Sequence, residues 1–296
     1  MSYPVAISAS TAATRLANRR GANDIFLAGE GVEFLFFIAA TEKRRESYRV
    51  PRARVFDTAN NPKIPARDLQ HKELKLSAWA VDHGVPSARP EQLVVQDGYP
   101  VLITEIIDDD GTPLDQHAVG AVLAQMHQQE PPIDEASQHA NIYRYLGQRI
   151  SHRYSRLSAQ HQMPSLPQET ALIALLEKSL RRVSLLHMDI RRQNIRVIDG
   201  APKALIDWSN ALTAAPEVEL ARIQEYSAIT ENGLDYTDIV EGYRRESGVV
   251  DESTAAWRIL RLDAALMLAG VFTSVSPREE LAQLFLGRTC ELLREL

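Results

Sequence analysis

The sequence predicts an α+β fold of two lobes: a small antiparallel β-sheet lobe over residues 1–107, then a larger, mainly helical lobe over 108–296. Three observations predict it. The first hundred or so residues hold several β-rich runs and one clear helical period. The remainder of the chain is dominated by apolar residues at helical spacing. A chain of 296 residues with 45% hydrophobic content can also bury enough core to divide it between two lobes.

The first 23 residues carry Arg15, Arg19 and Arg20 and no acid. They are read as a helix packed on the first lobe, with an organelle-targeting segment as the alternative. Residues 25–27, 34–39 and 47–56 form β-rich runs, separated by a glycine turn and a charged turn, which predicts an antiparallel meander. "NNPKIPARD" reads as a loop, after which Leu69, Leu76, Trp79 and Ala80 recur at helical spacing until Gly84. Strands at 92–95 and 100–107 complete the lobe. Asp108, Asp109 and Asp110 read as a solvated linker.

Helices are then expected at 114–129, 141–158, 168–183, 217–227, 236–247, 253–272 and 277–296. "LLHMD", "NIRVID" and "KALIDW" interrupt them as short apolar strands, with Asp199-Gly200 a hairpin signal. Trp79, Trp208 and Trp257 are assigned to core packing.

The formal net charge of −6 argues against a general affinity for nucleic acid, which needs a basic face to displace counterions from phosphates. No apolar stretch is long enough to span a bilayer. A single cysteine, Cys290, forms no internal disulfide, so a reducing cytoplasm is the simplest location.

Chemistry concentrates between residues 185 and 208, "LLHMDIRRQNIRVIDGAPKALIDW". Asp189 and Asp207 each come after a strand-like apolar run, where buried positions seldom take carboxylates unless paired. A hairpin over residues 195–206 returns the chain, so Asn194 and Asp207 are expected at the same end of the strand pair, converging beside Asp189. Asn and Asp oxygens with open coordination suit Mg²⁺, which takes its remaining ligands from water and substrate phosphates. An aspartate beside them can orient and deprotonate a hydroxyl.

The pattern H-x-D-x-x-x-x-N with a later I-D-W resembles the core of the aminoglycoside phosphotransferase and choline kinase superfamily, which shares the protein-kinase-like fold. Here it stands as "HMDIRRQN" and "IDW", with Met188 in place of the family's glycine and Ile190 in place of leucine. The resemblance implies that Asp189 is the catalytic base, that Asn194 and Asp207 hold Mg²⁺, and that His187 braces the loop. It covers most of the chain. "LAGEGVEFLFF" is similar to the family's first hairpin, where Gly29 and Gly31 would let backbone approach ATP phosphates, and "YRVPR" to its third strand, which makes Arg49 the phosphate-contacting cation. Glu73 is then its helix partner. "APEVELA" is similar to a family stretch that makes Glu219 a structural acid, and Arg191 and Arg192 are read as phosphate or substrate contacts or as solvated turn residues.

These readings imply a cofactor pair of ATP and Mg²⁺ and a small-molecule hydroxyl acceptor, with no nucleic-acid or membrane partner. Glu217, Glu225, Glu231, Asp235, Asp238, Glu241, Asp251 and Asp263 on the C-terminal helices are partly offset by Arg222, Arg244, Arg245, Arg258 and Arg261 and read mostly as a solvated face, but two or three of them in a partly desolvated pocket would favour a cationic acceptor, an aminoglycoside or other amino-alcohol. The alternative is a nucleotide-binding scaffold of the same fold that transfers nothing, motivated by the absence of a third-strand lysine.

Overall fold

The computed structural model describes residues 8–31, 33–42, 44–56, 63–132, 142–248 and 250–296. The chain forms two compact units, one comprising Met1–Pro113 with Asn194–Asn210, the other Leu114–Gln193 with Ala211–Leu296.

In the first unit, helix α1 (Ala9–Arg19) is capped by the Ser8 side chain and buries Ala12, Ala13, Leu16 and Ala17. Residues 1–7 of the segment considered for targeting lie outside the described residues. Strands β1 (Asp24–Glu30), β2 (Phe34–Ala40), β3 (Arg45–Pro51), β6 (Pro90–Gln96) and β7 (Tyr99–Thr104) form an antiparallel sheet in the order β1-β2-β3-β7-β6. The run read as one strand over 47–56 divides: β3 stops at Pro51, and Val55–Phe56 (β4) pairs instead with Ile64–Pro65 (β5). Proline lacks the amide a continued ladder needs. Helix α2 (Ala66–Asp82) buries Leu69, Gln70, Glu73, Leu76 and Ala80, a stripe that includes two polar residues.

Strands β9 (Ile195–Ile198) and β10 (Ala201–Leu205) form the expected hairpin. Asp199 at φ 52° and Gly200 at φ 79° supply the two left-handed residues a tight turn of this kind needs. In the 108–110 run, read as a solvated linker, Asp108 and Asp110 are exposed, and Asp109 and Asp110 also fasten this hairpin. Val197 N donates to Asp109 Oδ2 at 3.1 Å, and Asp199 N donates to Asp110 Oδ2 at 2.7 Å. Strand-edge and turn amides need acceptors, and carboxylates supply them.

The second unit holds helices α3 (Gln116–Gln128), α4 (Ile142–Ser158), α5 (Glu169–Ser179), α6 (Pro216–Tyr226), α7 (Tyr236–Ser247), α8 (Ala255–Gly270) and α9 (Glu279–Arg294), with a two-stranded pairing of β8 (Ser184–Leu186) and β11 (Leu212–Ala214) packed on α3 and α6. Helix α5 ends four residues before the expected position 183, because Leu180 turns extended to enter β8. Helix α8 is buried along most of its length. Among the described residues, no helix is long and apolar enough to cross a membrane.

Candidate active site

Arg49 sits on β3, opposite Phe36 and Leu102 in the sheet register. It is 4% exposed, with its guanidinium 3.5 Å from the centre of the Phe34 ring. A buried cation needs charged or hydrogen-bonding partners. Nη2 donates to Asp207 Oδ1 at 2.9 Å and Nη1 to Gln70 Oε1 at 3.1 Å, while Gln70 Nε2 donates back to the Arg49 carbonyl at 2.7 Å. Glu73 lies further off, with Oε2 at 3.9 Å from Nη1. Burial pushes the Glu73 carboxyl up to about 7; Arg49 opposes that rise and Asp207 adds to it. Arg49 Nε and Glu73 Oε2 are both buried without a hydrogen-bond partner.

Asp207 comes after β10 in a left-handed conformation, φ 68°, and its Oδ1 also accepts from Ser209 Oγ at 2.6 Å. Asn194, 7% exposed, opens the hairpin, and its carbonyl accepts from Ile206 N at 3.0 Å. The two residues thus stand at the same end of the strand pair, as the hairpin requires. Trp208 is fully buried, its indole donating to Ser87 Oγ at 3.1 Å. Gly29 lies at an irregularity in the β1–β2 register, and the Gly31 amide closes that hairpin on the Phe34 carbonyl at 2.8 Å. Neither glycine adopts a positive φ.

The second unit holds Asp189 on the loop after β8. Asp189 is 5% exposed; Oδ2 accepts from Arg191 Nη2 at 3.1 Å and Oδ1 from the Tyr226 hydroxyl at 3.4 Å. Burial, reinforced by the Asp189 charge, pushes the Tyr226 phenol up to about 12, so it stays a donor. The Asp189 amide donates to His187 Nδ1 at 3.3 Å. Arg192 packs against Gly233.

Met188, where the related pattern has glycine, takes φ 66°. A side chain in that region costs roughly 1–2 kcal/mol, so neighbouring contacts must hold it there. They do: its amide donates to Glu219 Oε1, and its carbonyl accepts from Arg222 Nη1 at 2.6 Å. Glu219, fully buried, is itself hydrogen-bonded through Oε2 to His127 Nε2 at 2.9 Å, and His127 Nδ1 meets the Tyr243 hydroxyl at 3.1 Å. Sequence reasoning singled out Glu219 but missed Gln70, His127, Arg222 and Tyr226. The available signal was spacing, since Arg222 and Tyr226 lie one and two helical turns beyond Glu219 and share its face.

The carboxylates read as favouring a cationic acceptor are largely taken. Asp263 pairs with Arg149 and Arg153, Glu225 with Arg261 at 2.6 Å, Glu231 with Arg278 and Glu241 with Arg245. Asp235 caps α7, and Asp251 accepts from the Ser253 amide and hydroxyl.

A family model described as the phosphotransferase enzyme family, APH, matches residues 28–283. The chain belongs to this family. Solved structures with the same fold include the aminoglycoside phosphotransferase APH(4)-Ia, with a TM-score of 0.67 and 14% identity, covering 96% of this chain and 98% of that one. The ADP-bound aminoglycoside phosphotransferase APH(2'')-Ib gives 0.63 and 13%, covering 95% and 98%. The macrolide 2'-phosphotransferase MphH from Brachybacterium faecium gives 0.57 and 16%, covering 94% and 97%. At these identities the likeness concerns the fold, which is the two-lobed protein-kinase-like one expected. No curated protein is matched by the sequence.

Proposed function

We propose that this family member transfers the γ-phosphoryl group of ATP to a hydroxyl of a small molecule, with Asp189 as the base. The observation that carries the proposal is the treatment of Asp189. Its carboxylate is buried, fixed by Arg191 and Tyr226, on a loop whose strained Met188 is clamped by Glu219 and Arg222. Strain maintained by a buried network marks positions where geometry matters to chemistry. Asp189 orients the acceptor hydroxyl and takes its proton as the oxygen attacks phosphorus, while the P–O bond to the nucleoside diphosphate breaks in line.

The first unit supplies the nucleotide side. Asn194 and Asp207 are oxygen donors of the type Mg²⁺ prefers, and Arg49 Nε and Glu73 Oε2, buried without a hydrogen-bond partner, leave hydrogen-bonding capacity beside Asp207. Those residues fit a magnesium–nucleotide complex, whose metal would neutralise phosphate charge. Arg49 supplies a fixed positive charge for phosphate oxygens, and the ADP-bound relative supports a nucleotide donor. Four of the eight C-terminal carboxylates, Asp263, Glu225, Glu231 and Glu241, pair with arginines, while Glu217 Oε2 is buried without a hydrogen-bond partner, so an amino-alcohol acceptor rests on fewer carboxylates than the sequence offers. We place the activity in the cytoplasm, on the single half-buried Cys290.

The test is ADP release on mixing the full chain with Mg-ATP and a panel of hydroxylated compounds, for wild type and Asp189→Ala. Wild type should turn over at least one acceptor. The variant should lose ~10²–10⁴-fold in turnover with unchanged nucleotide affinity, the usual contribution of a positioned base. Near-normal turnover by the variant removes Asp189 from the role. Tight Mg-ATP binding with no transfer to any acceptor supports the scaffold reading instead.

A further inference from the structure

Arg149, Arg153 and Arg222 share one carboxylate, Asp263, and Arg222 also touches the Asp189 loop through the Met188 carbonyl. Arg149 and Arg153 lie one turn apart on α4 and face Asp263 of α8. Arg149 grips both Asp263 oxygens, and Arg153 Nη1 donates to Oδ1 at 2.7 Å and to the Asp263 carbonyl at 3.1 Å. Arg222 of α6 is near enough for its charge to act on the same carboxylate. Its own hydrogen bonds go to neutral atoms: the Met188 carbonyl, and the Met267 sulfur at 3.1 Å. Arg222 is 6% exposed, its Nε has no hydrogen-bond partner, and it forms no ion pair among the described residues. Arginines are seldom buried this deeply unless paired.

Asp263 thus faces three positive groups in a desolvated setting, and Arg222 among them reaches the Met188 carbonyl, one residue from the proposed base. Burial and the like charges of Arg149 and Arg222 pull Arg153 down to about 10, a sign that its surroundings under-compensate its charge. Arg153 nevertheless commits only Nη1 to Asp263, which leaves the remainder of its planar fork for a second anion. An opposite charge there is screened far less than at the surface.

The geometry points to an acceptor that carries an anionic group, a carboxylate or phosphate, held by Arg153 and Arg222 while its hydroxyl faces Asp189. The inference rests on the phosphotransferase reading and specifies the substrate class of that site. It opposes the cationic acceptor expected from the sequence. The purely structural role of the cluster, tying α4 to α8, accounts for Arg149, and the Met188 clamp accounts for Arg222 Nη1, which leaves the remaining fork of Arg153 and Arg222 Nε unexplained.

Calorimetric titration of the full chain with four sugars of one scaffold separates these readings: glucose, glucosamine, glucuronate and glucose 6-phosphate. At least one anionic sugar should bind about 10-fold or more tighter than glucose and glucosamine, the scale of a charge-assisted hydrogen bond. Which anion wins distinguishes a carboxylate from a phosphate ligand. Arg153→Met should reduce that affinity to the level of glucose. Where Arg153→Met does not fold, Arg153→Lys keeps the charge and loses the fork, and should weaken the anion severalfold. The inference is overturned if glucose or glucosamine binds as tightly, if neither anion binds, or if the Arg153 variant that folds leaves anion affinity unchanged. Because no transfer is measured, such a failure leaves the phosphotransferase reading to its own turnover test.

Discussion

The two units treat their key carboxylates in opposite ways. Around Asp189 the second unit gives both oxygens of each carboxylate a partner: Glu219 accepts from Met188 and contacts His127, Tyr226 and Arg191 hold Asp189 itself, and Arg222 holds the Met188 carbonyl while its Nε has no hydrogen-bond partner. Around Asp207 the first unit is under-satisfied, with Arg49 Nε and Glu73 Oε2 buried without a hydrogen-bond partner and the Arg49–Glu73 ion pair stretched to 3.9 Å. The difference teaches where rigidity is needed. A base must be pre-positioned, so its loop is over-determined. Groups that receive a charged nucleotide need capacity left over, and unmet hydrogen bonds provide it.

If that contrast is correct, changes on the Asp207 side should affect ligand binding and changes on the Glu219 side should affect stability. The largest effect is expected from Asp207→Ala, which removes a proposed magnesium ligand. It should weaken Mg²⁺-dependent nucleotide binding by more than the ~10–100-fold typical of changes one step outside a metal's ligands. Nucleotide titrations at several magnesium concentrations measure it; an unchanged magnesium dependence would show that Asp207 is not a ligand.

Glu219→Ala should leave the Met188 amide and the His127 ring without their acceptor, at roughly 1–3 kcal/mol for each buried group left unpaired. Urea denaturation reads this directly. A loss below about 1 kcal/mol would mean that the loop is held mainly by Arg222.

Glu73 gives a pH dependence of definite sign. Its folded-state value of about 7 lies above its ordinary 4.5, so the folded chain binds the proton more tightly. That contribution to stability is complete below pH 4.5 and is lost as pH rises through 7. Glu73→Gln cannot titrate, so its melting temperature should fall less than that of wild type between those two pH values. Parallel melting profiles would place the Glu73 carboxyl at its ordinary value.

The smallest effect concerns Met188. Both Met188→Ala and Met188→Gly lose the buried side chain, but only glycine adopts φ 66° without strain. The glycine variant should be more stable than the alanine variant by about 1 kcal/mol, the reverse of their usual order within regular structure. Equal stabilities would show that the left-handed turn stores no strain.

By itself the sequence determined the features that depend on neighbours along the chain. The β-rich runs of β2 and β3, the helical stripe of α2, the Asp199-Gly200 turn and the spacing of Asp189, Asn194 and Asp207 all arise from local backbone geometry, and each is legible as a short pattern. The tertiary structure decided which charges meet. That Arg49 bonds Gln70 and Asp207 more closely than Glu73, that Asp109 and Asp110 fasten a hairpin, that Asn194–Asn210 joins the first compact unit, and that Arg149 and Arg153 claim Asp263 are pairings across 20 to more than 100 residues. Such partners leave no periodic trace, because a buried charge is satisfied by whatever the packing of distant elements brings within hydrogen-bonding distance.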